Sequence, residues 1–256
     1  MQARLKFLAA ALALGLLASC APSPEREREA ITRELLTRPD SRQLWKATQR
    51  HYPAAFADLV EKIRALDPDQ RNGSPAMQRV VDDWLRNLSE SFYPDIAHAS
   101  PQMLRRMVKA DLRFTETLAQ ASPDLCATYD IEGSISLGNE PKLAEANAAM
   151  VRWNTATVIA SAEGRDKPMQ HADPSQADRD KAGANLLAQG IDQDALRALG
   201  DPAAIRALPS AKVCALALGI KRAVFSLPDD ALARMVAVQI REQQPEAQRR
   251  SGNTRR

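Results

Sequence analysis

Residues 74–121 read SPAMQRVVDDWLRNLSESFYPDIAHASPQMLRRMVKADLRFTETLAQA. From Met77 the apolar positions Val80, Val81, Trp84, Leu85, Leu88, Phe92 and Ile96 return every three or four residues, with Arg79, Asp82, Asp83, Arg86 and Glu90 opposite them. A second stripe, Leu104, Met107, Val108, Leu112, Thr115 and Leu118, runs opposite Arg105, Arg106, Lys109 and Arg113. The spacing predicts two amphipathic helices packed antiparallel, the first carrying ion pairs such as Arg79 with Asp83 and Arg86 with Glu90. Each segment opens on Ser-Pro, in which the serine accepts a first-turn N–H and the proline occupies a position whose own N–H would go unpaired.

The same punctuation recurs along the chain, at Ser23-Pro24, Ser122-Pro123, Asp173-Pro174 and Asp201-Pro202. A shorter helical pair is expected over Leu44–His51 and Pro53–Leu66, with Phe56, Leu59, Val60 and Ile63 inward. Pro141–Ala162 and Ala211–Leu227 lack a broad polar face, which marks helices covered by neighbours on several sides, so these two are read as the central helices. Residues 129–140, with Gly133 and Gly138, break the pattern as an extended piece or packed loop, and Gly164–Ser175 reads as a loop. Composition agrees: aromatic residues make up 4% and glycines number 10, while the hydrophobic fraction of 45% supplies a core. The expectation is an all-α bundle of about nine or ten helices, mostly antiparallel neighbours, with one non-helical excursion near 129–140.

The N-terminus carries an address. Arg4 and Lys6 precede an apolar run from Phe7 to Leu17, too short for the roughly 20 residues of a membrane span, and Pro22, Pro24 and the charged Glu25–Glu29 follow at once. Leu17-Ala18-Ser19-Cys20 resembles the lipobox of bacterial lipoproteins. The resemblance covers this segment alone and implies cleavage before Cys20, a diacylglycerol on its thiol and residence in the envelope of a Gram-negative bacterium. Because Ala21 stands where an aspartate would retain the protein at the inner membrane, the outer membrane is favoured. Each buried methylene contributes about 0.8 kcal/mol, so two or three acyl chains anchor a domain firmly. The expected organisation is a signal peptide over 1–19, an acylated N-terminus with linker and short charged helix over 20–41, a helical domain over 42–242 and a basic mobile tail over 243–256.

With Cys20 lipidated, Cys126 and Cys214 are the remaining thiols in an oxidising compartment. Either they pair, stabilising the fold by about 4 kcal/mol in the chain-entropy model, or they are buried free cysteines acting as small hydrophobes. Charge points to no nucleic acid. The whole chain has 35 basic and 32 acidic residues, net +3, and four of the positives, Arg249, Arg250, Arg255 and Arg256, crowd its end. Those four either touch anionic headgroups, at about 1 kcal/mol per charge, or simply solubilise the tail.

Catalytic signatures are sparse, and no catalytic residue is assigned. Gly133–Gly138 misses the spacing of a nucleophile elbow, and P-loop, HExxH and dinucleotide motifs are absent. His51, His98 and His171 have no ligand spacing on one element, so neither metal nor cofactor is expected. Glu116, on a helix near Cys126, falls on its charged side, as a solvated glutamate does. Asn147 and Asn154, seven apart on an apolar helix, either line a small polar pocket or hydrogen-bond a neighbouring helix end. The functional expectation is a lipid-anchored periplasmic interaction protein with a protein partner, in one version an immunity or inhibitor lipoprotein that sequesters a toxic hydrolase. The alternatives are a structural or transport accessory lipoprotein and a cell-wall-acting enzyme.

Overall fold

Helix starts are fixed by the capping serines. In the computed structural model, Ser23, Ser74, Ser100 and Ser122 each accept a hydrogen bond from the backbone N–H three residues on, with proline at the first helical position. The structure describes residues 23–71, 73–133, 135–138 and 140–243, and side chains there except at 89 and 90. The signal segment, Cys20 and the tail arginines lie outside the described residues, as does the side chain of Glu90.

Among the described residues the chain forms twelve α-helices and no strand: α1 Pro24–Thr37, α2 Arg42–His51, α3 Pro53–Arg64, α4 Pro75–Ile96, α5 Pro101–Ala121, α6 Pro123–Glu132, α7 Ala144–Asp166, α8 Gln176–Leu187, α9 Gln193–Arg197, α10 Pro202–Ala207, α11 Ser210–Phe225 and α12 Asp229–Gln243. Ten of them have ten residues or more, the compact all-α bundle expected. None is long and apolar enough to cross a membrane.

Five expectations are corrected. α7 runs on to Asp166, so Gly164 lies in a helix and the loop expected from it begins at Lys167. Asp173-Pro174 does not start a helix; α8 begins at Gln176, where Ser175 and Asp178 form a reciprocal capping box, and Asp173 instead holds Arg241 at 2.7 Å. The excursion begins at Gly133 rather than Tyr129, because α6 continues to Glu132 and Gly133 ends it at φ 72°. Asp83 pairs with Arg86 at 3.5 Å instead of Arg79. Finally, α4 and α5 do not pack along one another. Both lie against α7, which also covers α2, so α7 is the central helix of the bundle.

Small residues make that position possible. Ala146, Ala149, Ala160, Ala162 and Gly164 are buried on α7, and a Cβ at Gly164 would stand 1.9 Å from the carbonyl oxygen of Asp95, so backbone meets backbone there. α11, the other expected central helix, packs on α5, α6 and α8. The core is built from three clusters. One joins α1 to α4 around Trp45, Phe56 and Trp84 and includes Ile31 and Leu35, so α1 is integral to the body. The second gathers α12 onto the α4–α5 turn. The third surrounds Phe114, Tyr129 and the cysteines.

Side-chain contacts set the ends in register. Trp84 donates to the Ala55 carbonyl (3.1 Å), Arg64 reaches Glu27 (4.0 Å), Ser161 donates to the Phe92 carbonyl (2.9 Å), and Glu163 accepts the N–H of Ser100 (3.4 Å). One end of the bundle therefore collects the starts of α1, α4 and α7 with the ends of α3 and α5. The opposite end holds the α4–α5 turn, the end of α7 and Gln243, whose side chain accepts the Tyr93 hydroxyl.

Candidate functional site

Two surface hollows flank the last turns of α5. The first, about 450 Å³, lies between α5 and α11, with Ala119 and Leu218 as its apolar floor and Arg113, Glu116, Gln120 and Arg222 around it. The second, about 320 Å³, has Leu125, Leu137 and Leu143 as its floor and Ser122, Glu140 and Lys142 at its rim. Consecutive residues divide them: Ala119 and Gln120 face the first, Ala121 and Ser122 the second.

Electrostatics at the rims is mixed. Glu116 accepts a hydrogen bond from Arg222 at 3.0 Å and has Arg113 at 3.9 Å, so it is an ion-paired wall residue. Arg113 also bonds Glu145 of α7. At the second rim Lys142 pairs with Glu140 at 3.0 Å. Each cation presents a large part of its side chain to solvent. Such exposed pairs contribute little to stability and can exchange partners with an arriving ligand.

Behind the hollows the scaffold is cross-linked. Cys126 of α6 and Cys214 of α11 form a disulfide with Cα atoms 5.4 Å apart, which resolves the open alternative in favour of pairing. Two turns further along, Lys221 of α11 donates to Asp111 (2.9 Å) and Thr115 (2.8 Å) of α5 and sits 4.6 Å over the Tyr129 ring. The Tyr129 hydroxyl donates to the same Asp111 oxygen at 2.8 Å. Burial, reinforced by the neighbouring Asp111 carboxylate, pushes the phenol well above its usual range. Phe114, Tyr129 and Trp153 complete the wall, with ring centroids 4.9 to 5.8 Å apart. Lys221 and Arg222, charges on an otherwise apolar helix, thus find their outlets in Asp111 and Glu116. The cue in the sequence is that pair of cations on a buried helix; their partners lie about a hundred residues away and have no local signature.

The two asparagines divide. Asn147 donates to the Gly138 carbonyl at 3.0 Å, bracing the wall of the second hollow from behind, while Asn154 lies two turns further along α7, partly buried. Neither lines a hollow described above. Of the three histidines, two come together and one stands apart. His51 ends α2, where burial and Arg50 lower its pKa. His98 and His171 share one loop junction, where His98 Nδ1 donates to the Met169 carbonyl (3.2 Å) and His171 Nε2 to the Ala99 carbonyl (2.8 Å). Among the described residues no three His, Cys, Asp or Glu side chains are placed to hold a metal ion.

Residues 37–129 match the TipAS antibiotic-recognition domain family. The similarity starts at the last residue of α1 and ends at Tyr129, covering α2 to α5 and most of α6, about a third of the chain. It includes the α5 wall of both hollows and Cys126, but neither α7 nor α11. No curated protein matches the chain, and no solved structure does.

Proposed function

We propose that the protein is a binding protein of the bacterial envelope, tethered through a lipid on Cys20, whose helical body recognises a partner at the hollows beside the end of α5. The observation that carries this reading is that the α5 wall of both hollows falls within the stretch similar to an antibiotic-recognition domain. The disulfide between two buried cysteines supports a place in an oxidising compartment, and the lipobox-like Leu17–Cys20 supports the tether. Tethering concentrates a binder where its target arrives. In the version we favour the partner is a protein, such as a hydrolase held away from the cell wall, and the tether is to the outer membrane, facing the periplasm.

A second reading, favoured by the family similarity, has a small partly apolar molecule as ligand, seated on the leucine floors. Purification of the acylated protein from envelopes, with Cys20→Ser as the untethered control and mass spectrometry of what accompanies it, separates the readings. One stoichiometric protein partner supports the first. A bound small molecule released on denaturation supports the second, and several envelope-assembly components would shift the assignment to an accessory lipoprotein. Neither partner nor ligand would overturn the binding role.

A further inference from the structure

The position of the hollows, taken with the length of chain ahead of α1, points to what covers them. Three residues, Ala21, Pro22 and Ser23, separate Cys20 from Pro24. At about 3.5 Å per residue that leash reaches at most about 14 Å from Cys20 to Pro24. α1 adds no slack, because Ile31 and Leu35 are in the core, Arg28 bonds Glu61, and Glu27 lies 3.5 Å from Arg71 and 4.0 Å from Arg64.

The register of the helices then places the hollows. Arg28 with Glu61 sets α1 against α3, Trp84 with Ala55 sets α3 against α4, Phe92 with Ser161 sets α4 against α7, and Arg113 with Glu145 sets α7 against α5. Following those contacts, the start of α1 and the end of α5 lie at the same end of the bundle. Resting on the reading that Cys20 is acylated, we infer that this end faces the bilayer and that, while no partner is bound, the two hollows rest on the phospholipid surface of the membrane that holds the protein, so that a partner reaches them by displacing lipid. Their chemistry suits an interface that is polar at the headgroup and apolar just beneath it. Leucine floors lie under rims carrying Arg113, Lys142 and Arg222, which can turn from their glutamate partners to lipid phosphates. The opposite end, with Lys167 exposed at the close of α7, faces away.

Amine-reactive footprinting tests this on the native acylated protein bound to protein-free vesicles of phosphatidylethanolamine and phosphatidylglycerol. Lys142 is expected to label several-fold more slowly than in the Cys20→Ser protein with the same vesicles, while Lys167 labels equally in both. A flexible Gly/Ser spacer inserted after Ala21 should restore Lys142 labelling without releasing the protein. If mass spectrometry of the N-terminal peptide finds no acylation, the tether reading falls and this inference with it. If Cys20 is acylated but Lys142 labels as fast as in the untethered protein, the orientation alone is wrong. Protection in native envelopes but not in protein-free vesicles would identify a membrane protein as the occupant and overturn the lipid surface.

Discussion

Gly164 is the residue at which the fold tolerates least. Its missing Cβ lets the end of α7 lie on the Asp95 carbonyl, an obstacle of backbone that cannot rotate away. Gly164→Ala should cost about 3 kcal/mol, read as a lowered denaturant midpoint at unchanged m-value. Gly183→Ala, in α8 with nothing within 4 Å of its Cβ, should instead stabilise by about 0.5 kcal/mol through helix propensity. Two carboxylates make opposite predictions against pH. Asp178 is held well below the usual carboxylate range by Arg234, which bonds both its oxygens at 2.9 and 3.0 Å, and by the Ser175 N–H and hydroxyl. A depressed pKa stabilises the fold above the unfolded value of about 3.9, and that contribution is lost as pH falls through the folded value. Asp178→Asn should therefore lower Tm at pH 7, with the gap to the parent closing as the solution is acidified below about pH 4. Asp95 is shifted the other way, because burial outweighs the attraction of Arg165 and His98. Its ionisation is a liability that grows as pH climbs from about 3.9 through the folded value, so Asp95→Asn should raise Tm at pH 7 and leave it unchanged below that window. A Tm series against pH on both variants checks the two signs together.

At the scale of elements, the serine-proline pairs and apolar stripes made most of the helices legible, since caps and 3.6-residue periodicity are local. The same locality explains what stayed hidden. The stripes of α4 and α5 announce buried faces without saying which helix covers them, and α7 takes both because its alanines and glycine admit close neighbours. Asp173-Pro174 has the form of a helix start, yet the Ser175–Asp178 box two residues later satisfies more donors. Of the candidate site, the cysteine pair was readable by elimination, whereas Lys221 with Asp111, Thr115 and Tyr129 joins residues about a hundred positions apart. The disulfide is the one covalent link between α6 and α11 and spans 88 residues. Cys126→Ser with Cys214→Ser should destabilise the fold by about 4 kcal/mol, and the thermal midpoint of the parent should drop to that of the double variant when a reductant is added to the unfolded protein before refolding. Equal midpoints with and without reductant would show that the link adds nothing to stability.

For the whole molecule, the question is whether the stretch similar to a recognition domain is a unit that folds by itself. Residues 37–129 contain α2 to α5 and most of α6, but the helix that covers α2, α4 and α5 is α7, outside that stretch. Excised, the fragment would expose the faces of Trp84, Phe92, Leu104 and Phe114 to water, leave Lys221 absent from Asp111 and Cys126 without its partner. Burial is worth roughly 25 cal/mol per Å² of apolar surface and domains of this kind are stable by only about 5–15 kcal/mol, so losing the helix that covers three others removes a large part of that margin. The fragment should show helical far-ultraviolet dichroism with no cooperative thermal transition, while residues 23–243 should melt in one step. A sharp transition in the fragment would mean that the similar stretch carries its own core and that α7 and α11 are additions laid over it, leaving the hollows as the seam between the two.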